Sequence, residues 1–173
     1  MPEGETGFDA AGIEARLRQP LLPQEDGVFR LGLVLNGTAA AGAWTAGALD
    51  LLVEALDLWD DKKREDRERG DGRASVPDHE LRVGIASGTS GGGLCASLLA
   101  RAALWDFPHA TDAEAPANAG NPFWRTWVET LDIASMLDAS DLSSAGSVPA
   151  SLLSGAAVEA AGELIRAWPG DGP

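Results

Sequence analysis

Short apolar runs alternate along the chain with small-residue turns and stretches of helical periodicity. Residues 29–35 read Phe-Arg-Leu-Gly-Leu-Val-Leu, and residues 81–86 read Leu-Arg-Val-Gly-Ile-Ala. Both runs have a length that suits a buried strand. A Gly-rich turn and then a helical pattern follow each of them. Two such strand–turn–helix units predict an α/β fold, with residues 30–35 and 82–86 as neighbouring parallel strands flanked by helices.

The first crossover helix is predicted from residue 42 to about residue 58. Apolar residues recur there at steps of three and four, as on one face of an amphipathic helix: Trp44, Ala48, Leu51, Leu52, Ala55 and Leu58. The mixed-charge run at 60–69 is typical of a solvated helix end. Residues 70–78 are turn-like.

The remaining segments carry weaker patterns. Residues 1–28 form a polar N-terminal segment with room for a short helix around Ile13 and Leu17, and residues 29–173 form the α/β domain. Residues 123–137 predict one helix or two short ones, in which Trp124 and Trp127 lie three apart and suit a packed face. Residues 151–168 predict a final, alanine-rich helix.

Charge limits the classes of partner. The chain has 13 Lys+Arg against 27 Asp+Glu, a formal net charge of -14. This balance excludes nucleic acid as a partner, because binding phosphates requires a basic surface. It also argues against docking on an anionic membrane by charge. Contact with a lipid surface through apolar side chains stays open, and oligomeric state is not predicted.

Neither a membrane span nor a metal site is predicted. Residues 31–49 carry no charge, but Asn36, Gly37, Thr38 and Gly42 interrupt them, so they fit a strand, a turn and a helix better than a span. The N-terminus lacks the layout of a secretory signal, which predicts a cytoplasmic protein. A single cysteine and two histidines 30 positions apart form no metal-ligand pattern, and no cofactor is expected.

The strongest candidate for chemistry is Ser90. Residues 88–92 read Gly-Thr-Ser-Gly-Gly, which fits Gly-x-Ser-x-Gly between a strand and a helix. Gly88 and Gly92 are required there because side chains would collide with the neighbouring strand and helix. The helix N-terminus adds free N–H groups that favour developing negative charge. The alternative is a glycine-rich turn that serves packing alone.

Two signatures together resemble the patatin-like phospholipases. Residues 33–49 resemble the family's N-terminal strand, Gly-rich loop and helix, and residues 88–99 resemble its nucleophile elbow. The resemblance covers roughly residues 29–104. It implies a patatin-like α/β fold that is incomplete here, a serine hydrolase acting on lipid esters, and a Ser–Asp dyad. It also implies an oxyanion loop at Gly37, Thr38, Ala39 and Gly42.

The chain departs from this family at two places. Thr38 and Ala39 stand where glycines are usual, and Ala41 stands where an arginine is usual. The catalytic aspartate of the family lies in an Asp-Gly-Gly or Asp-Gly-Ala motif. The only Asp-Gly pair after Ser90 in this chain starts at Asp171, two residues from the end. We therefore expect the chain to stop before its catalytic aspartate or to have lost activity.

Other functions and residues remain as alternatives. One alternative is an inactive patatin-like fragment or interaction module. Another is a nucleotide-binding protein, although neither Gly-rich loop carries the lysine of a Walker-type loop. His79 and His109 are predicted to be exposed loop residues rather than the base for Ser90. Cys95 is predicted to be a small buried apolar residue.

Overall fold

The computed structural model describes residues 10–17, 25–38, 41–110, 120–139 and 153–168. In chain order, its elements are α1 (Ala10–Leu17), β1 (Val28–Leu35), α2 (Gly42–Arg69), β2 (Glu80–Gly88), α3 (Gly91–Ala102), α4 (Pro122–Trp124), a π-helix (Arg125–Thr130), α5 (Ile133–Met136) and α6 (Gly155–Ala167).

The two strands pair in parallel, as predicted. Phe29 lies opposite Leu81 and Leu31 lies opposite Val83, but Gly32 lies opposite Ile85. Gly84 is thus an extra residue in β2, and side chains beyond it point to the opposite face from the one that strict alternation would give. The mixed α/β character, with a parallel sheet and flanking helices, is confirmed for the described part of the chain.

The core lies between the helices and one face of this sheet. Leu33, Leu35 and Val83 pack against it from the strands. Its buried members come from α2, α3, the stretch between residues 123 and 136, and α6: Ala46, Leu49, Cys95, Leu98, Leu99, Ala102, Phe123, Trp127, Leu131, Met136, Ala157 and Ala161. Helix α3 contributes more of them than any other element, so it is the central helix of the described fold.

Helix α2 forms as predicted but buries the face opposite its apolar stripe. Trp44 is 79% exposed and Leu58 is 61% exposed. Its buried residues Gly42, Ala46 and Leu49 are mostly small, and helices approach one another closely where small residues meet. On the other face, Trp44, Leu51 and Leu58 are exposed, and Leu52 at its margin is partly buried against the core. Periodicity therefore identified the helix but not the face that packs.

The charged end of α2 is helical and solvated, as predicted. The helix ends at Arg69 and is capped by Gly70, which has a φ of 67° and whose N–H donates to the Asp66 carbonyl. The Asp66 carboxylate accepts hydrogen bonds from the backbone N–H and the hydroxyl of Ser75. These bonds lower the pKa of Asp66 to about 2, and they tie the following loop to the helix.

The segment at 122–136 contains two short helical stretches, one of the two forms predicted for it. Asn121 caps the first stretch by accepting from the N–H groups of Phe123 and Trp124, and Asp132 caps the second by accepting from Ser135 N. The final helix starts at Gly155, and residues 151 and 152 lie outside the described residues. Within the described ranges, no helix combines the length and apolar character that a membrane crossing requires.

Shortening a buried side chain on the central helix should test this core. Leu98 is fully buried, so Leu98→Ala is expected to lower the free energy of unfolding by about 2–5 kcal/mol, through lost burial and the cavity left behind. Leu58→Ala, on the exposed face of α2, should change it by less than about 0.5 kcal/mol. Urea denaturation followed by circular dichroism measures both. Equal losses from the two variants would contradict the described core.

Candidate active site

Ser90 lies at the turn between β2 and α3, where it was predicted. Strand β2 ends at Gly88 and α3 begins at Gly91. Ser90 has φ 53° and ψ −128°, and it is the only non-glycine residue with positive φ in the described ranges. Such a conformation costs about 1–3 kcal/mol and persists only where the surrounding packing enforces it. Backbone strain of this kind is typical of functional sites.

The two elbow glycines are required by space. A β-carbon on Gly88 would overlap the Gly92 carbonyl and lie 2.7 Å from Gly93 N. A β-carbon on Gly92 would overlap the carbonyl oxygens of Leu35 and Asn36 and lie 2.6 Å from the Leu35 carbonyl carbon. The end of β1 therefore passes directly over the first turn of α3. This is the packing that holds the turn sharp.

The first Gly-rich loop lies beside the serine. A β-carbon on Gly37 would lie 3.3 Å from Ser90 Cβ and 4.0 Å from Ser90 Oγ. Thr89 N donates to Leu35 O at 3.2 Å, and Ala41 N donates to Thr38 O at 2.7 Å. Gly37 is thus in place to serve as part of an oxyanion loop. The sequence also predicted Ala39 as a member, but Ala39 lies outside the described residues.

Thr38 occupies space that a glycine would leave open. Its Oγ1 is buried and has no hydrogen-bond partner in the part of the chain that the structure describes. A β-carbon on Gly91 would lie 2.6 Å from this oxygen. The threonine side chain therefore packs directly on the residue that follows Ser90, and the glycine at position 91 leaves room for it.

The first turn of α3 leaves one backbone N–H group free to bind an anion. Gly93 N and Leu94 N both donate to Ser90 O, and Gly92 N donates to Thr89 O. The Gly91 N–H makes no such bond within the described ranges. A free N–H immediately after a serine nucleophile is one of the two donors that stabilise an oxyanion in elbow-type hydrolases.

Trp127 holds the two glycine turns together. The residue is 4% exposed, and a β-carbon on Gly42 would overlap the six-membered ring of its indole. A β-carbon on Gly91 would lie 3.0 Å from Trp127 Cη2. The prediction that Trp127 packs in the core is confirmed, whereas Trp124 is half-buried. No signal in the sequence placed this ring between the starts of α2 and α3.

His109 is a loop residue, but the prediction that it is exposed is wrong. Its side chain is only 15% exposed, and Nδ1 lies 2.8 Å from Oδ1 of Asp50. Asp50 is buried on α2 and also accepts from Ala110 N and the Asn121 side-chain amide. The histidine can be buried because the Asp50 carboxylate gives a hydrogen-bond partner to His109, to the Ala110 N–H and to the Asn121 amide, and its own charge is satisfied by them. His109 is therefore a structural partner of Asp50 and does not contact Ser90.

The other candidates stay apart from the site. His79 is exposed, as predicted, and its ring packs edge-on against Trp59. Asp171 lies outside the described residues. Within the described ranges, no side chain hydrogen-bonds to Ser90 Oγ, and no three His, Cys, Asp or Glu side chains are arranged to hold a metal ion. The described residues thus place the Ser90 hydroxyl beside the Gly37 loop and the N-terminal end of α3, and none of their side chains hydrogen-bonds to it.

Comparison with known proteins finds a relative of unassigned function. The chain is 30% identical over 120 residues to the uncharacterized protein y4iI of Sinorhizobium fredii (strain NBRC 101917 / NGR234). The matched region covers 66% of this chain and 16% of that protein, so this chain spans a small part of the relative's length. No model of a known protein family matches the chain. No solved structure matches it either.

Replacing two helical glycines with alanine should distinguish the tightly packed glycine of the elbow from a glycine in an ordinary helix. Gly92→Ala is expected to lower the free energy of unfolding by about 1–3 kcal/mol or more, because the new methyl group has no space beside Leu35. Gly47→Ala, where nothing lies within 4 Å, should raise it by about 0.5–1 kcal/mol through helix propensity. Urea denaturation of both variants makes the comparison. A Gly92→Ala protein as stable as the parent would contradict the described elbow.

The reactivity of Cys95 should distinguish a structural thiol from a nucleophile. Its side chain is fully buried in α3, and burial raises the pKa of the thiol to about 11. At pH 8 roughly a thousandth of it is thiolate, so we expect almost no reaction with a thiol reagent in the folded protein. In concentrated urea the same cysteine should react fully. Rapid labelling of the folded chain would overturn this assignment.

Proposed function

We propose that this chain is the nucleophile-bearing part of a serine acyl hydrolase of the patatin-like type, acting on lipid esters. The observation that carries the proposal is the backbone of Ser90, a non-glycine residue with φ 53° between a strand and a helix. Gly88 and Gly92 around it have no room for side chains. A serine held in such a turn at the start of a helix supports a role in presenting its hydroxyl beside helix N–H donors.

The chemistry follows from the positions of these groups. Ser90 Oγ would attack the ester carbonyl, and the negative charge on the carbonyl oxygen would be stabilised by the free Gly91 N–H and by the loop at Gly37 and Thr38. The N-terminal end of α3 adds favourable electrostatic potential. The leaving alcohol would take a proton from the group that first deprotonated the serine. In the proposed family that group is an aspartate, and none of the described side chains occupies its place.

A lipid–water interface suits this site. Trp44 follows Gly42 by two residues and is 79% exposed, and exposed tryptophan side chains favour the boundary between water and acyl chains. The net charge of -14 disfavours an anionic surface. The proposed substrates are therefore esters at uncharged or zwitterionic lipid surfaces.

The second candidate is an inactive fragment or interaction module of the same family. It is favoured by a specific observation, since Ser90 Oγ has no hydrogen-bond partner in the described ranges. A serine hydroxyl without a base is a weak nucleophile, and a positioned base typically contributes about 10²–10⁴-fold. An active enzyme would need its base from residues that the structure does not describe.

Covalent labelling and turnover together test the proposal. A fluorophosphonate probe, which is a far more reactive electrophile than an ester, should label residues 1–173 slowly but selectively at Ser90. Mass spectrometry of the digested adduct identifies the modified residue. Hydrolysis of short-chain esters and phosphatidylcholine vesicles should be negligible, because the described site lacks a base.

Ser97→Ala is the matched control for Ser90→Ala, since Ser97 is exposed on the same helix and donates to Gly93 O. Labelling should persist in Ser97→Ala and vanish in Ser90→Ala. Absence of Ser90 labelling in the parent would count against the hydrolase. Robust turnover lost in Ser90→Ala would instead show that the chain contains its base, and Asp171→Asn would be the next variant to assay.

A further inference from the structure

The side chain of Thr38 holds a hydroxyl that is enclosed by protein and has no hydrogen-bond partner among the described residues. Its Oγ1 is buried, although the residue as a whole is partly exposed. Unpaired buried hydroxyls are unfavourable and rare in native folds. This hydroxyl is therefore a candidate for a group that pairs only when a ligand is bound.

The Thr38 hydroxyl lies beside the free backbone N–H of Gly91. A β-carbon on Gly91 would be 2.6 Å from Thr38 Oγ1, and a β-carbon is about 2.5 Å from the nitrogen of its own residue. Thr38 Oγ1 and Gly91 N are therefore no more than about 5 Å apart. One oxygen atom can accept from both groups, because two hydrogen bonds of about 3 Å each reach donors up to about 6 Å apart.

The same two groups lie next to the candidate nucleophile. Ser90 directly precedes Gly91, and a β-carbon on Gly37, the residue before Thr38, would lie 3.3 Å from Ser90 Cβ and 4.0 Å from Ser90 Oγ. In elbow-type hydrolases the carbonyl oxygen of the bound ester lies at the N–H that follows the nucleophile. The Thr38 hydroxyl is thus close to the point where negative charge would develop.

We propose that the side-chain hydroxyl of Thr38 stabilises the oxyanion together with the Gly91 N–H. This inference rests on the proposed hydrolase function and adds a catalytic residue to the same site. As the bond between Ser90 Oγ and the carbonyl carbon forms, the π electron pair of the carbonyl moves onto its oxygen, and the serine proton passes to the carboxylate of the proposed dyad. The Thr38 hydroxyl donates a hydrogen bond to that oxygen and keeps its own proton. A glycine at this position would have no side chain for this role.

Thr38→Val tests this role because valine has nearly the shape of threonine and lacks the hydroxyl. We expect fluorophosphonate labelling of Ser90 in residues 1–173 to slow by roughly 10–100-fold, as for the loss of one hydrogen bond to a negatively charged group. The urea midpoint of unfolding should stay the same or rise, because an unpaired buried hydroxyl is removed. Thr38→Ser retains a hydroxyl and should be labelled within about threefold of the parent rate.

Thr126→Val is the matched control. Thr126 is fully buried, and its hydroxyl also has no partner in the described ranges, but it lies on the π-helix rather than in a Gly-rich turn. Its urea midpoint should respond as in Thr38→Val, while Ser90 should be labelled within about twofold of the parent rate. Mass spectrometry of digests taken at successive times gives the rate at Ser90, and circular dichroism verifies that each variant folds.

The possible results separate this inference from the proposed function. A parent protein that is not labelled at Ser90 would refute the hydrolase and, with it, the role of Thr38. Equal labelling rates in the parent and Thr38→Val would refute the role of Thr38 alone. Slow labelling of Thr38→Ser, or an equal loss in Thr126→Val, would refute it as well, because packing rather than the hydroxyl would then control the rate. A lower urea midpoint for Thr38→Val would show that the hydroxyl already has a structural partner, which contradicts the proposal.

Discussion

The contact of the Trp127 ring with Gly42 and Gly91 is the constraint on which the described site depends. Gly42 begins α2 and Gly91 begins α3, and neither has room for a β-carbon beside the indole. The ring therefore brings the starts of two helices together, with the ends of β1 and β2 next to them. A smaller side chain at 127 would leave a cavity in the middle of both Gly-rich turns.

The strain at Ser90 is a consequence of this packing. The carbonyl oxygens of Leu35 and Asn36 lie against Gly92 on one side of the turn, and Thr38 lies against Gly91 on the other. With Gly91 and Gly92 both enclosed, the chain passes from β2 into α3 through a backbone conformation at Ser90 that serine rarely adopts. Each Gly-rich turn is thus shaped by residues of the other, which explains why both are needed for one site.

A second, polar cluster positions the element that carries Trp127. Asp50 on α2 accepts hydrogen bonds from His109, Ala110 and Asn121. Asn121 in turn caps the helical stretch that continues into the π-helix. Because a buried carboxylate is costly to leave unpaired, this cluster fixes the segment before Trp127 relative to α2. Polar anchoring and apolar packing therefore act on the same short element.

The local features of the fold were predictable from the sequence. The two strands follow from short apolar runs of strand length, and the first crossover helix follows from apolar residues at steps of three and four; both patterns are local properties of the chain. The turn at Ser90 follows from the Gly-x-Ser-x-Gly pattern between a strand and a helix, although the Leu35 and Asn36 carbonyls that exclude a side chain at Gly92 are tertiary contacts. The parallel pairing follows from the rule that a strand–helix–strand unit folds back on itself.

The tertiary structure alone decided which surfaces meet. The stripe that includes Trp44 and Leu58 is the more apolar face of α2, yet Gly42 and Ala46 face the core, because close helix packing favours small residues over large ones. His109 is buried because Asp50, 59 positions earlier, lies opposite it. Contacts between positions so distant leave no periodic trace in the sequence. Sequence by itself determined the elements and the position of Ser90, while the packed faces and the role of Trp127 required the tertiary contacts.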